Sequence, residues 1–517
     1  MSLPESWILT TVSELGNVVS GGTPSTKEPS YWNGEINWIS PSDLTGYTNK
    51  FISKGAKSIT KDGLKNSSAK IMPSGSIHFS SRAPIGYTAI SASDMTTNQG
   101  FKSLVPATGV FNEYIYYYFK SAKQLAETLA TGTTFKEISG SAFSKMPVPL
   151  APFNEQHRIV VEIEELFSEL DQGIDNLKTA QAQLKVYRQA LLKHAFEGKL
   201  TAEWRAQNAD KLESASALQQ RIQHARQQSY QQQLAEWDAS VKVWDENGCV
   251  VKKPSKPRKT TELDKPSTEH INRIWNVPNG WEWLQIGEFA FVTKLAGFEY
   301  TEYVRYSEKG DLPVIKAENA GPNGYRVTQY SYVQSDSVAD LTRSHLSGGE
   351  LLMVFVGAGT GNVAMVPSDK KFFLGPNVGM IRIESDEINP RYVEQFLRSP
   401  LGKDIALASV KAVAQPSISM GTIRQTPVAL PTRAEQDEII YQIETKLSQV
   451  DQLDQTITTS LQQAEALRQS ILKKAFSGEL VPQEPNDEPA AALLARIQAE
   501  KAAQSTKQGK LVKLRYE

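Results

Sequence analysis

The sequence predicts an α+β protein made of two copies of one unit, each with a globular domain and a long helix, related by a pseudo-twofold axis. The stretch that begins Glu155-Gln156 returns 280 residues later at Glu435-Gln436, and a repeat of this length indicates duplication. Each copy of this stretch has the apolar periodicity of a helix. The parts between the copies alternate short apolar runs with Gly, Ser and Pro, which is typical of strands joined by turns.

Bulk composition limits the kinds of protein that this chain can be. At 517 residues it exceeds one ordinary core, and 40% hydrophobic with 22% charged residues is typical of a soluble globular protein. There is no apolar run of about eighteen residues, and the single cysteine, Cys249, excludes an internal disulfide. We therefore expect a cytoplasmic protein.

The net charge of −1 does not support nucleic-acid binding by overall charge. If DNA is the ligand, the positive field must be local or must come from a partner.

The repeat divides the chain into six segments. They are a globular domain (1–150), a helical segment (151–202), a Gln-rich helix with a basic linker (203–274), a second globular domain (275–430), a second helical segment (431–482) and a C-terminal tail (483–517). We expect strands at Ile36–Ile39, Ser76–Phe79 and Leu351–Val356, and helices at Tyr114–Ala130, Pro390–Ser409 and from Leu212 to about Trp244. Ala217–Gln223 and Ala492–Gln498 are similar to each other, whereas the basic end of the tail, from Lys501, is expected to be mobile.

The two helical segments have the start and stop signals of long helices. Each begins after a proline, Pro152 or Pro431, and each ends in lysine before a glycine. About forty helical residues at 1.5 Å per residue give a rod of roughly 60 Å. The apolar stripe needs a partner, and the other copy is the most economical one, as in a coiled coil. Separate packing of each helix on its own domain is the alternative.

Motifs for catalysis are missing from the sequence. There is no phosphate-binding loop of the Gly-x4-Gly-Lys-Ser/Thr type, no Asn-Pro-Pro-aromatic motif for amino methylation, and no histidine pair at metal-ligand spacing. Read from Gly357, the run Gly357–Gly361 fails the dinucleotide fingerprint; read from Gly359, it passes only in the permissive form, with Ala364 in the third place, and a breaker at Pro367 follows instead of a helix. The run therefore favours a tight strand–strand turn or a close approach to a ligand. We expect neither a catalytic residue nor a bound metal.

Polar residues in glycine-rich segments of both globular domains are candidates for DNA contacts. Arg, Asn and Gln read base edges in the major groove, and Lys, Ser and Thr contact phosphates. The candidates are Ser40, Ser42, Asp43, Ser81, Arg82, Asn98, Gln99, Lys102, Thr134 and Lys136 in the first domain, and Lys316, Asn319, Thr360, Asn362, Lys370, Lys371, Lys411 and Gln415 in the second. Ordinary surface polarity is the alternative for each one. The basic run Lys252–Lys259 is either a solvated linker or a DNA-backbone contact.

The repeated segments resemble the conserved regions of the specificity subunit of Type I restriction–modification enzymes. The resemblance rests on a proline shortly before Glu-Gln and on the Leu-Lys-x-Ala-Phe-x-Gly-x-Leu end, at Leu192–Leu200 and Leu472–Leu480. Trp38–Pro41, Ser81–Gly86 and Asn98–Gly100 are similar to the target-recognition domains of that family. The second half has no clear counterpart of Arg-Ala-Pro-Ile-Gly.

The resemblance implies a non-catalytic subunit whose two domains each read one half of a bipartite, asymmetric site in double-stranded DNA. Its helices run antiparallel and set the gap between the half-sites. Two modification subunits dock on the conserved regions, and two restriction subunits join them; S-adenosylmethionine, ATP and Mg are expected on these partners. The candidate docking residues are Glu155, Gln156, Arg188, Phe196, Glu435, Gln436, Arg468 and Phe476. A non-catalytic coiled-coil scaffold for protein ligands, and an enzyme whose glycine turn binds a nucleotide, are the alternatives.

Overall fold

The computed structural model describes residues 3–132, 136–248, 253–257, 277–408 and 417–513. The chain forms two compact units. The first unit comprises Met1–Thr179 and Ile457–Glu517, and the second comprises Ala180–Thr456. No helix in the described ranges is long and apolar enough to cross a membrane.

The globular part of the first unit is built from short strands and helices. Its strands are β1 (Ile8–Thr11), β2 (Gly16–Ser20), β3 (Trp32–Ile39), β4 (Phe51–Ile52), β5 (Lys57–Ile59), β6 (Ile77–Ser81), β7 (Ile85–Ser91), β8 (Thr96–Thr97), β9 (Phe101–Pro106) and β10 (Pro147–Leu150). Its helices are α1 (Lys61–Lys65), α2 (Asn112–Ser121), α3 (Lys123–Leu129) and α4 (Gly140–Ser144), with 3-10 turns at Pro29–Tyr31 and Pro41–Leu44.

These strands form a five-stranded sheet in the order β2-β9-β6-β7-β4, a three-stranded sheet in the order β5-β3-β8, and the pair β1-β10. Pairing is antiparallel except between β3 and β8 and between β4 and β7. The predicted strands at Ile36–Ile39 and Ser76–Phe79 fall on β3 and β6, with Ser76 just before β6.

The chain continues through helices into the second unit. These are α5 (Phe153–Phe196), α6 (Ala202–Gln207) and α7 (Ala215–Glu246), with a 3-10 turn at Ala209–Lys211. The strands of the second unit are β11 (Glu282–Gln285), β12 (Ala290–Lys294), β13 (Leu312–Ile315), β14 (Ala320–Gly321), β15 (Gly324–Tyr325), β16 (Ser331–Val333), β17 (His345–Leu346), β18 (Leu351–Val354), β19 (Val363–Met365), β20 (Phe372–Leu374), β21 (Val378–Ile383) and β22 (Pro427–Leu430). The remaining helices are α8 (Ile286–Phe289), α9 (Gly297–Tyr303), α10 (Pro390–Arg398), α11 (Pro400–Leu407), α12 (Met420–Gln425), α13 (Arg433–Ser477) and α14 (Ala490–Lys513), and further 3-10 turns lie at Ala317–Asn319, Ser335–Val338 and Thr342–Ser344.

The second unit repeats the sheet topology of the first. The order β12-β21-β18-β19 corresponds to β2-β9-β6-β7, the order β16-β13-β20 corresponds to β5-β3-β8, and β11-β22 corresponds to β1-β10. In both units the middle strand of the smaller sheet, β3 or β13, pairs antiparallel on one side and parallel on the other. The duplication predicted from the helices therefore extends to the dissimilar globular parts.

The two predicted helices in the globular parts are each divided in two. The stretch from Tyr114 forms α2 and α3, and the stretch from Pro390 forms α10 and α11. In the second case the break is local, because Pro400 starts a new helix and the Ser399 hydroxyl caps it by accepting from the Gly402 amide at 3.0 Å.

The long helices α5 and α13 pair within each unit, as predicted. In the first unit Asp171 on α5 forms an ion pair with Arg468 on α13, and Gln483, beyond the end of α13, bonds Glu155 near the start of α5. An earlier residue of α5 thus pairs with a later position of the second segment, and a later residue of α5 pairs with an earlier one. The two segments are therefore antiparallel. In the second unit the equivalent residues, Arg188 and Asp451, form the same pair.

The C-terminal segment packs on the first unit through the first part of its helix. Helix α14 begins with Ala490, Leu493, Leu494 and Ile497, which are buried in the core of the first unit; this spacing places them on one helix face. Lys501 follows on the same helix, and its ammonium donates to the Ser13 carbonyl at 2.6 Å. Lys501, the first residue of the run that is expected to be mobile, is therefore bonded to the first unit, and mobility beyond it stays a prediction.

Helix α7 repeats the arrangement of α14 in the second unit, where Leu218 and Ile222 are buried. This explains the similarity between Ala217–Gln223 and Ala492–Gln498. Of the basic run after α7, residues 253–257 are described, and the Pro254 carbonyl accepts from the Trp237 indole at 3.0 Å. Cys249, Lys252 and residues 258–259 lie outside the described residues.

Candidate nucleic-acid interfaces

Three motif segments of the first half meet at one end of the sheets in the first unit. The Asn98 amide donates to the Ile39 carbonyl at 2.8 Å, and the Ser81 amide donates to the Gly100 carbonyl at 2.7 Å. A Cβ atom on Gly100 would lie 3.1 Å from a ring carbon of Pro41, so the loops are in close contact. We call residues 40–43, 81–82, 98–102 and 136–138 the first corner.

A carboxylate shared by two cations lies in the first corner. Nη1 of Arg82 donates to Oε2 of Glu137 at 3.3 Å, and Nζ of Lys102 donates to Oε1 at 3.4 Å. The buried Ser81 hydroxyl is also 3.4 Å from Oε1. Backbone hydrogen bonds between Glu137 and Thr131, at 3.0 and 3.1 Å, hold the acid in place. Sequence reasoning missed Glu137, because no local motif marks it.

Several predicted contact residues of the first corner stabilise its loops. Asp43 accepts from the Ser40 amide at 2.7 Å and from the Ala56 amide at 2.8 Å, which closes the turn after β3. Asn98 accepts from the Gly100 amide at 2.8 Å. The side chains with exposed surface are instead those of Ser42, Gln99 and Lys136, with Arg82 partly exposed; Thr134 lies outside the described residues.

The second unit has a corner built by the same backbone contacts. The Gly375 amide donates to Ile315 at 2.7 Å, and the Phe355 amide donates to Asn377 at 3.1 Å. The Ile418 amide donates to Phe355 at 2.8 Å, as the Ile138 amide donates to Ser81 in the first unit. We call residues 316–319, 355–356, 375–379 and 417–418 the second corner.

The matching backbone contacts of the two corners place different side chains at equivalent positions. Phe355 corresponds to Ser81, Val356 to Arg82, and Ser417 to Glu137. The sequence lacks an Arg-Ala-Pro-Ile-Gly motif here, and the structure shows that the backbone of the corner is nevertheless kept.

A second cation, besides Lys316, reaches the second corner from a neighbouring strand. Ser20 on β2 lies opposite Lys102 on β9, whereas Lys294 on β12 lies opposite Gly379 on β21. Lys294 is exposed, and its Nζ lies 5.0 Å from the centroid of the Phe355 ring, within cation–π range. Only the strand register reveals Lys294, so the sequence alone did not identify it.

Lys316 and Asn319 repeat the turn made by Ser40 and Asp43. Oδ1 of Asn319 accepts from the Lys316 amide at 2.9 Å, while its Nδ2 donates to the Arg326 carbonyl at 3.1 Å and to the Thr328 hydroxyl at 2.8 Å. Asn319 is buried, and these partners use both of its N–H donors and one acceptor position of its oxygen. Its prediction as a DNA contact is therefore corrected to a structural role. Lys316 bonds the Ser331 hydroxyl at 2.7 Å.

The glycine run Gly357–Gly361 is the turn between the antiparallel strands β18 and β19, as predicted. The Thr360 hydroxyl donates to the Gly357 carbonyl at 2.6 Å, and the Asn362 amide donates to the Ala320 carbonyl at 3.3 Å, so both side chains stabilise the turn and its surroundings. Lys370 and Lys371 are exposed just before β20. Lys411 and Gln415 lie outside the described residues.

Most of the predicted docking residues are internal. Glu155, Gln156, Phe196, Glu435, Gln436 and Phe476 are buried. Oε1 of Gln156 accepts from the Phe111 amide at 3.0 Å, and Oε1 of Gln436 accepts from the Asn389 amide at 2.8 Å. Because their side chains are enclosed, their role is corrected from docking to holding each helix against its domain.

The two remaining docking candidates belong to the helix pair. Arg188 and Arg468 form the equivalent ion pairs with Asp451 and Asp171, so they are partly occupied within the chain.

Exposed apolar residues recur on the long helices. Val161 on α5 and Tyr441 on α13 occupy equivalent positions of the repeat, as do Tyr187 and Leu467, and all four are exposed. Among the described residues, no group of three or more His, Cys, Asp or Glu side chains is arranged to hold a metal ion.

The family model of the Type I restriction modification DNA specificity domain matches residues 4–185 and 278–466, which is one match for each half. The chain belongs to this family. A relative in Methanocaldococcus jannaschii, the Type I restriction enzyme MjaIX specificity subunit, is 39% identical over 197 residues, covering 38% of this chain and 44% of that protein.

A relative in Escherichia coli K12, the Type I restriction enzyme EcoKI specificity subunit, is 24% identical over 531 residues, covering 98% of this chain and 97% of that protein. The crystal structure of the HsdS subunit from Thermoanaerobacter tengcongensis has the same fold, with a TM-score of 0.55 at 15% identity over 93% of this chain and 98% of that one.

Proposed function

We propose that this chain is the DNA sequence-specificity subunit of a Type I restriction–modification complex, and that each unit reads one half of a bipartite, asymmetric site in double-stranded DNA. The observation that carries the proposal is the pair of corners, which share backbone contacts but not side chains. A duplicated scaffold with unlike side chains at equivalent positions is suited to reading two different sequences with one geometry.

The chemistry of the corners supports an asymmetric site. The first corner presents Arg82 and Glu137, which are partly exposed and offer hydrogen-bond donors and acceptors, with Lys102 buried beside Glu137. The second presents Lys294 beside Phe355 and Val356, a combination suited to phosphate and to apolar base surfaces such as the thymine methyl group.

Two modification subunits would dock on the long helices, one for each copy of the repeat. Val161 and Leu467 in the first unit, and Tyr441 and Tyr187 in the second, expose apolar surface at repeated positions. Exposed apolar groups at matched positions of a duplicated scaffold fit two copies of one protein partner.

The remaining parts of the reaction are assigned to the partners. The modification subunits would bring S-adenosylmethionine for adenine methylation, and two restriction subunits would bring ATP and Mg for translocation and cleavage. We assign no catalytic step to this chain, which would act in the cytoplasm by placing its partners on the correct DNA sequence.

The test is methylome sequencing of cells with and without this chain. The expected result is that N6-methyladenine is lost at one split motif in the deletion strain and returns when the wild-type chain is supplied. If the methylome does not change and only co-purifying proteins are lost, the scaffold alternative is correct and the proposal fails.

A further inference from the structure

Arg82 and Glu137 form a mixed donor and acceptor pair at the partly exposed edge of the first corner. Their side chains are 39% and 35% exposed. The contact of 3.3 Å is long for a charge-assisted hydrogen bond, and a guanidinium has five N–H donors. The two side chains are therefore positioned by one another while both keep capacity for a ligand.

This pair has the hydrogen-bonding pattern that complements one G·C base pair. In the major groove guanine offers two adjacent acceptors, N7 and O6, which match the two-pronged donor face of an arginine. The cytosine N4 amine lies next to O6 and donates to a carboxylate. In an A·T pair the adenine N6 amine, a donor, takes the place of the guanine O6 acceptor. One of the two arginine N–H groups then has no acceptor. An arginine in contact with a glutamate is thus suited to G·C.

We propose that Arg82 and Glu137 together read one G·C base pair of the first half-site, Arg82 at the guanine and Glu137 at the cytosine. This inference rests on the proposed function and names the base pair that the first corner selects. Lys102, which is buried beside Oε1 of Glu137, balances its charge and holds the carboxylate in place.

The second corner provides an internal comparison. Val356 and Ser417 hold the positions equivalent to Arg82 and Glu137, and these side chains have neither a guanidinium nor a carboxylate. The second half-site is therefore read without this pair, and changes to it must leave that half-site unaffected.

The experiment compares E137Q and R82K in cells that make the whole complex, with the methylated motif as the readout. R82K keeps the positive charge but loses the two-pronged geometry, and E137Q loses the charge but keeps the shape. The matched control is E127Q, because Glu127 pairs with Lys123 at 3.9 Å on the surface of α3, in the same unit.

We expect both variants to relax the motif at the same G·C position of one half-site, by about tenfold or more in preference, while the other half-site and the E127Q motif stay unchanged. A wild-type motif in both variants would overturn the inference, as would relaxation at different positions, at an A·T pair or in both half-sites.

If a variant abolishes methylation, selection of bound sequences from a random DNA library by the purified complex supplies the same readout. Binding with the wild-type preference, or loss of assembly in E137Q and R82K but not in E127Q, would assign the pair a structural role and overturn the inference. A wild-type complex without any split motif would instead refute the proposed function itself.

Discussion

The two glutamates of the repeated Glu-Gln motif are buried at equivalent positions but have different partners. Glu435 accepts from Arg205 at 2.6 and 2.9 Å, from the Thr201 hydroxyl at 2.8 Å and from the Trp281 indole at 3.1 Å. Glu155 accepts from Gln483, and burial raises the pKa of this carboxyl. The same residue type thus has different hydrogen-bond partners in the two units, with an arginine at Glu435 and an amide at Glu155.

We expect E155Q and E435Q to have different effects on stability at neutral pH, with a loss only in E435Q. Because the pKa of Glu155 is raised in the folded state, the protonated carboxyl contributes stability at pH values below the usual pKa of glutamate. This contribution is lost as the pH rises through the raised pKa. E155Q replaces the carboxyl by an amide that does not ionise, so this loss of stability does not occur. Its Tm at pH 7.5 should therefore equal or exceed that of the wild type. E435Q weakens the bonds from Arg205 and should cost about 2 to 3 kcal/mol.

Thermal unfolding at pH 4 and pH 7.5 measures both effects, with E165Q on the exposed face of α5 as the control. The gain of E155Q over the wild type should be larger at pH 7.5 than at pH 4. A Tm for E155Q below that of E435Q at pH 7.5 would contradict this account.

The same motif shows why the sequence alone did not separate enclosed residues from exposed ones. Gln156 and Gln436 occupy equivalent positions of the repeat because each side chain accepts a hydrogen bond from a backbone amide at the start of a neighbouring helix. A repeated polar pair in a helix is equally expected for docking and for internal bonding, and only the fold determines which face is enclosed.

At the scale of elements, local signals predicted the helices and missed the register of the strands. The apolar stripe and the terminal signals of α5 and α13 lie within each segment, so their bounds and pairing could be predicted. Lys294 reaches the second corner only because β12 pairs with β21 with Lys294 opposite Gly379. That pairing joins residues far apart in sequence, and no local pattern specifies it.

Two neighbours on α13 should separate stability from assembly. Ile443 is 0% exposed in the core of the second unit, whereas Tyr441 is 68% exposed. We expect I443A to cost about 2 to 5 kcal/mol in unfolding free energy because it leaves a cavity. Y441A should change stability by less than about 0.5 kcal/mol but should weaken co-purification with the modification subunit.

Urea unfolding and quantitative pull-down measure the two effects on the same proteins. Normal partner binding by Y441A would remove this part of α13 from the proposed docking surface. A large loss of stability in Y441A would show that its ring packs within the chain.

At the scale of the whole molecule, strands β1 and β10 bring the two ends of the first globular domain together. Ile8 pairs with Leu150 and Thr11 pairs with Pro147. A domain whose ends are adjacent can be exchanged with little disturbance to the rest of the chain. Its contact with α13 must be kept, because Tyr114 packs on Phe476 with ring centroids 5.2 Å apart.

We expect that exchanging residues 1–150 for those of another family member, with Tyr114 retained, will change one half of the methylated motif and leave the other half unchanged. The reason is that the side chains of the first corner lie inside the exchanged segment. Methylome sequencing of the chimera measures this, with the parental chain as reference. A change in both halves would contradict independent reading by the two units.

The division of the chain between its units also sets an order for synthesis. The second unit is made from one continuous stretch, Ala180–Thr456, whereas the first combines Met1–Thr179 with Ile457–Glu517. On the ribosome the second unit has all of its residues first, although its sequence starts later. The first unit must wait until α13 and α14 emerge, because Tyr114 lacks Phe476 and the Ser6 and Ser13 carbonyls lack their donors on α14 until then. A nascent chain released early would therefore contain a complete second unit and an incomplete first unit.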